Sequence, residues 1–524
     1  MKSRIPVLFI YLFISSFINC SKKALATVIP DAVNISSYAP ANPVLKGLST
    51  NPLHRITVNI PAGNVIQKYR QIICSLNTGA ANNLSEIDVY SSPSESFSTH
   101  NLLGSIKVMD TLISIPINMN CGSGIYYIWL SGVLKDNAAV NQKIEVHSKI
   151  VADSMGNRNV IQEYPSPFAK LSGFAVRRAG DDGVNTYRIP GIIQTDKGSL
   201  IAVYDIRYDN SNDLPSHINI GMSRSLDSGK TWQPMKVIMD MGAPEAQNGI
   251  GDPCILFDNN TKKIWVSALW SKGNHSIAGS GPGLSPDQCG QMMLVSSSDD
   301  GISWTAPSSI TPQVKNPAWN IMFQGPGSGI TMANGTIVFP AQYWDGTAVS
   351  YSSIVYSTDH GLTWQRGNTG AKSNTTECQV VETTAGNLML NMRDNRGSFR
   401  SVYNTADMGN TWVMDPTSYS ALPDPVCQGS FIKASINLHA GLQDILFFCN
   451  PNSVSTRNNI TVKASLDLGE NWLNNNQLLI DDRTCFGYSC LTRIDNQTLG
   501  LLYEGSQEIY FVYIPVSDII KSTQ

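Results

Sequence analysis

From about Asp31 to Pro165, apolar and polar residues alternate in short runs such as HRITVNI, SEIDVYSS, LISIPINM and GIYYIWLSGVL. Asn, Ser, Gly and Pro separate the runs. A period of two marks strands with one face buried, and helical periodicity is hard to find, so residues 27–165 are expected to form an antiparallel β-sandwich. Two prolines in YPSPFAK (164–170) predict the junction to a second region, 166–524.

In that second region extended runs such as INIGMSR, MMLVSS and SIVYS are each followed by one octapeptide pattern. It occurs as SLDSGKTW, SSDDGISW, STDHGLTW, TADMGNTW and SLDLGENW, all fitting [ST]-x-D-x-G-x-x-W. An Asp in a tight turn accepts hydrogen bonds from nearby backbone N–H groups. The Gly reaches positive φ, and the Trp covers the hairpin. The aspartates fall at 227, 299, 359, 407 and 467, spacings of 72, 60, 48 and 60 residues, close to one four-stranded blade of a β-propeller each. The chain is therefore expected to be all-β, and these five carboxylates are read as structural.

Ahead of both regions, MKSR and the fourteen-residue run IPVLFIYLFISSFI have the form of an export signal, too short for a comfortable membrane span. Two processing sites remain open. Cys20 in INC-SKK would be lipid-modified, whereas Ala24-Leu25-Ala26 would be cut as A-x-A, giving a signal of about residues 1–26. Export permits disulfides, so Cys485 with Cys490 and Cys74 with Cys121 stand as pairs against nine buried free thiols.

A balance of 37 basic and 40 acidic residues gives a net charge of −3 and no general attraction for nucleic acid, so any anion site must be local. Arg188 and Arg207 answer that description, each lying inside an apolar strand-like run (YRIPGII and LIAVYDIRY) where an unpaired guanidinium would be costly. Cys and His show no zinc-like spacing.

YRIP together with the five turn repeats resembles the sialidase (exo-α-sialidase, neuraminidase) family, from Gly173 to the C-terminus. IGDP, QVVE, LNMRDNRG and RNNIT resemble its secreted bacterial branch, Bacteroidetes-like with an N-terminal sandwich. The resemblance implies a six-bladed β-propeller after the sandwich and a retaining glycoside hydrolase. Its substrates would be terminal α-linked sialic acids on glycoproteins, glycolipids and oligosaccharides. No cofactor and no metal are implied.

It also implies roles for particular residues. Three arginines bind the sugar carboxylate, matched by Arg188, Arg393 (in NMRD, with Arg396 and Arg400 nearby) and Arg457, because a guanidinium fork meets a carboxylate with two hydrogen bonds. Glu504 of LLYEG matches the counter-charge beneath Arg188. Tyr488 in TCFGYSC matches the nucleophile, since sialidases depart from the usual two-carboxylate scheme by using a tyrosine. Glu377 matches the base that takes its proton, a phenol of pKa about 10 being a poor nucleophile otherwise. Arg207 and Asp213 match the further arginine and the acid/base aspartate, with Asp205 and Asp209 in the same window. Asp252 matches the contact to the N-acetyl amide, and Gln291 and Trp270 are read as lining that pocket. Residues 271–288 lack the bulky aromatics expected in that loop.

Rival readings are a trans-sialidase, an intramolecular trans-sialidase, a non-catalytic sialic-acid-binding propeller and a plain interaction scaffold. Tyr126, Tyr127 and Trp129 would serve a carbohydrate-binding sandwich if exposed, although their alternation also suits ordinary strand packing. Periplasmic, outer-membrane and extracellular locations all follow from export.

Overall fold

The computed structural model describes residues 32–153, 158–166, 168–242, 247–439 and 441–521. The export signal and the Cys20 and A-x-A processing sites lie outside them.

Alternation along the early strands resolves into two facing sheets. One orders Gln162–Glu163, Asn34–Tyr38, Asn51–Ile60, Gly124–Leu134, Leu84–Ser92 and Asn101–Lys107. The other orders Arg158–Val160, Ile144–Asp153, Gln67–Leu76 and Leu112–Cys121, with Ala169–Lys170 beside Ile144–Asp153. Every second residue of Leu112–Cys121 is buried, and Ile56, Val58, Ile72, Ile87, Ile115 and Ile128 share one core. Tyr126 packs against that core, Trp129 is 5% exposed and edge-on to Phe97, and Tyr127 lies under Arg55.

Six further sheets make the propeller. Five are built mainly on strands that follow one another in the chain, beginning with Thr186–Gln194, Ile250–Phe257, Ile321–Gln324, Thr375–Thr384 and Ser430–Leu438, while Gly327–Ser328 crosses to pair in parallel with Ile250–Phe257. The sixth joins Ser489–Arg493, Thr498–Glu504 and Ile509–Pro515 to Ser172–Arg177, which precedes the first blade in the chain. Apolar cores lie between successive blades, as where Ile201 and Val203 of the first meet Ile255 and Val266 of the second.

Each turn repeat behaves as a closed clasp. Asp227 accepts from the Thr231 N–H at 2.9 Å and from its hydroxyl at 2.7 Å, and the Ser225 hydroxyl accepts from the Gly229 N–H at 2.7 Å. The repeat tryptophans also reach across blade boundaries: Trp232 packs on Phe511 at 5.4 Å and Trp364 on Trp265 at 5.9 Å.

One segment departs from the expected division at residue 165. Val44–Lys46, expected in the sandwich, pairs in parallel with Ser172–Arg177 and so adds an outer strand to the sixth blade. Gly173 makes this sandwiching possible, because a Cβ there would lie 2.1 Å from the Phe511 carbonyl oxygen. Polar contacts continue the junction: the Ala41 N–H donates to Asp482 at 2.9 Å, and Lys143 pairs with Asp518 at 2.7 Å. All nine described cysteines are free thiols, so neither Cys485–Cys490 nor Cys74–Cys121 is bridged.

Candidate active site

The innermost strands carry β-bulges where the site lies: between Arg188 and Gly191, between Gly251 and Cys254, and between Thr375 and Cys378. A bulge breaks the two-residue alternation and re-aims a side chain that would otherwise enter an inter-blade core. Ile189 in the first bulge has φ 57° and Asp252 in the second has φ 60°. A left-handed β-branched residue is strained by about 1–2 kcal/mol. Glu504 holds it, accepting the Ile189 N–H at 2.8 Å.

Glu504 is fully buried and does three things at once. The same Oε1 accepts from Arg188 Nε at 3.1 Å, while Oε2 accepts the Tyr488 N–H at 2.9 Å. Expected only as the counter-charge of Arg188, it also fixes the backbone of Tyr488. It has no access to a sugar.

Tyr488 stands where the three expected arginines meet. Its hydroxyl lies 2.5 Å from Glu377 Oε1 and receives a hydrogen bond from Arg393 NH1 at 3.1 Å. The same nitrogen pairs with Glu377 Oε2 at 2.7 Å. The guanidinium carbons of Arg188 and Arg457 lie 5.3 and 5.8 Å from the Tyr488 ring centroid. Burial, and next the Glu377 carboxylate, raise the phenol well above its ordinary value, so at neutral pH it is protonated and donates to Glu377.

Arg188 also stacks over Phe486 at 4.2 Å, a support that sequence reasoning did not single out although it lies two residues before Tyr488. Arg457, in a polar loop, is held by the carbonyls of Phe486 (3.1 Å) and Val426 (2.9 Å). Of the two competitors of Arg393, Arg396 pairs with Asp394 at 3.0 Å, and Arg400 is buried on Asn391 and the Cys427 carbonyl. Neither reaches Tyr488.

Arg207 differs from expectation. It is 1% exposed, and its donors are spent inside the protein: NH2 on Asp205 at 2.9 Å, NH1 on the Ser211 carbonyl and on Asp213 Oδ1, both at 2.7 Å. It therefore holds Asp213 from inside the protein, its donors already committed to Asp205, Ser211 and Asp213. The side chain of Asp213 is 79% exposed and also 3.4 Å from Arg188. Desolvation acts to raise its carboxyl, but the Arg207 and Arg188 guanidiniums outweigh it and keep it below the ordinary range.

Among the described residues Asp252 pairs with no cation. Its N–H donates to Asp205 Oδ1 and its carbonyl accepts from Gln324, whereas burial and the Asp205 and Glu377 carboxylates push its own carboxyl well up. A protonated Asp252 is a hydrogen-bond donor. Asp209, the remaining candidate in its window, lies 3.6 Å from His217. Gln291 is spent on the Cys289 carbonyl and Ser309, and Trp270 packs on the core between the first two blades. A cavity of about 1090 Å³ lined by Ile436, Leu466, Pro515 and Ile520 shares no residue with this site.

Comparison with known proteins gives a concordant answer. Residues 189–482 match the BNR repeat-like domain family. A sialidase of Bacteroides fragilis (strain YCH46) is 43% identical over 408 residues, spanning 76% of this chain and 74% of that one. A sialidase of Clostridium perfringens is 30% identical over 342 residues, spanning 62% and 87%. The solved structure of the Hadza microbial sialidase Hz136 superposes with a TM-score of 0.85 at 36% identity, covering 93% of this chain and all of that one. On its repeats, its propeller and these relatives, the chain belongs to the sialidase family of glycoside hydrolases.

Proposed function

We propose that the protein is an exo-α-sialidase that releases terminal sialic acids from glycoproteins, glycolipids and oligosaccharides with net retention, through a tyrosyl-enzyme intermediate. One observation carries the reading: Arg188, Arg393 and Arg457 converge on a tyrosine whose hydroxyl is 2.5 Å from a carboxylate. A sugar acid held by three guanidiniums would present its anomeric carbon to that oxygen. A neutral phenol approaches past the substrate carboxylate without the repulsion a carboxylate nucleophile would meet.

In the first half-reaction the Tyr488 oxygen bonds to the anomeric carbon, its proton passes to Glu377, and the glycosidic bond breaks as Asp213 protonates the departing oxygen. In the second, water attacks the same carbon, Asp213 takes its proton, and the tyrosyl oxygen leaves with the proton from Glu377. Two inversions give retention. In the free enzyme Arg207 and Arg188 favour ionised Asp213. A bound sugar carboxylate brings a negative charge to Arg188 and so favours the protonated acid needed for the first step. Asp252, as a neutral donor or acceptor, would meet the N-acyl side of the sugar.

The leader pattern supports export to the periplasm, the outer membrane through a lipid on Cys20, or the medium. Incubation with a 3-fluorosialyl fluoride followed by peptide mapping tests the mechanism. A covalent tag on the Tyr488 peptide is expected, and a tag elsewhere, or none during turnover, would reject it. Product analysis with and without a galactoside acceptor separates hydrolysis from transfer, and an anhydro product would mark the intramolecular route.

A further inference from the structure

We infer that Asp205 is a positioning residue that sets the protonation of the acid/base Asp213 by sharing Arg207 with it, and that it ties this acid to the sugar-facing Asp252. The inference rests on the reading of Asp213 given above and assigns a role to a residue that never touches the substrate.

Three contacts carry it. Asp205 is 0% exposed and lies on the strand Leu200–Arg207, two residues before Arg207, so both side chains leave the same face of the strand. Its Oδ2 accepts from Arg207 NH2 at 2.9 Å and from Nε at 3.2 Å, which commits one edge of the guanidinium. The other edge is left for Asp213, at 2.7 Å from NH1. Meanwhile Oδ1 accepts the Asp252 N–H at 2.9 Å, the residue whose positive φ turns the second blade's inner strand. One buried carboxylate therefore joins the acid/base loop of the first blade to the bulge of the second.

Arg207 is a single cation between two carboxylates. If Asp205 lost its charge, Asp213 would hold the cation alone, its ionised form would be stabilised, and less of it would be protonated at a given pH. The other charged groups facing Asp213 are Arg188, Arg457 and Asp252, with the Asp209–His217 pair beside it on its own loop. None of these bonds to Arg207. Burial lifts the Asp205 carboxyl to about 6 against the pull of Arg207, so it is mostly ionised at pH 7, and its charge helps push the Asp252 carboxyl up.

The test uses the whole enzyme with two substrates, an aryl sialoside whose leaving group needs little protonation and sialyl-lactose, whose leaving group needs it. Asp205→Asn keeps the shape and the acceptor for the Asp252 N–H but removes the charge. It should lose about tenfold more turnover on sialyl-lactose than on the aryl sialoside, within the range of about 10²–10⁴ that general acid catalysis supplies. The alkaline limb of its kcat profile should move to lower pH. Arg207→Lys, which cannot fork between two carboxylates, should move that limb the opposite way, and it keeps the inference testable if Asp205→Asn fails to fold.

Equal losses on both substrates with an unmoved limb would reduce Asp205 to a packing residue and overturn the inference, as would limbs moving the same way in both variants. Asp213→Ala is the control for the underlying reading. If it loses no more on sialyl-lactose than on the aryl sialoside, Asp213 is not the acid. If it does and Asp205→Asn does not, only the present inference falls.

Discussion

The Tyr488 hydroxyl donates to Glu377 across 2.5 Å, a contact between the sixth and fourth blades that joins residues 111 positions apart. Glu377 accepts at the same time from Arg393, so the tyrosine, the carboxylate proposed as its base and one guanidinium of the proposed clamp form one unit. Tyr488→Phe should cut turnover of an aryl sialoside by at least about 10³-fold while a sialic acid analogue still binds. Steady-state kinetics with calorimetric binding checks it, and near-native turnover would exclude Tyr488 as nucleophile.

Arg393→Lys keeps the charge and removes the fork. Substrate affinity should fall by about 10- to 100-fold, the scale of one or two charge-assisted hydrogen bonds, with the melting temperature little changed. Unchanged KM and kcat would remove Arg393 from the clamp.

The turn repeats predict an acid sensitivity unrelated to catalysis. Asp299, Asp359 and Asp407 are held at about 2, mainly by hydrogen bonds from Ser303, Thr363 and Thr411. A carboxyl lowered on folding stabilises fully above its unfolded value, about 3.9, and stops doing so as pH falls through about 2. Melting temperature should therefore drop between about pH 4 and 2. The drop should be shallower in Asp359→Asn, and parallel curves would show that the clasps contribute nothing to it.

Leu45 of the borrowed outer strand is fully buried in the core between the fifth and sixth blades. Leu45→Ala should cost about 2–5 kcal/mol in denaturant unfolding, although the residue belongs to a region expected to form a separate domain. A neutral result would mean the strand is an ornament of the propeller.

How far the sequence could be read follows from the range of the forces involved. The clasp is local, eight residues long, and its spelling shows in the chain. Arg188 and Arg207 are conspicuous because a cation inside an apolar strand-like run demands a partner. Arg457 carried no such signal and was found through resemblance alone. The partnership of Asp205 with Arg207 was legible in principle, as two charges at i and i+2 of an apolar strand share one face. Which of the three nearby aspartates took which contact depended on the loop's path. The bond of Glu504 to the Tyr488 backbone and the pairing of Val44–Lys46 with residues 172–177 arise only from tertiary approach. Hydrophobic alternation fixes which face of a strand is buried and says nothing about its neighbour.

The sixth blade is sewn from segments before the first blade and after the fifth, and the Arg188–Glu504 pair ties that blade to the first over 316 residues. A ribosome must thus make nearly the whole polypeptide before Arg188 can find its counter-ion. Partial products or fragments clipped before residue 504 would hold most of the recognition surface without a competent nucleophile, so catalysis should arrive in one step with ring closure.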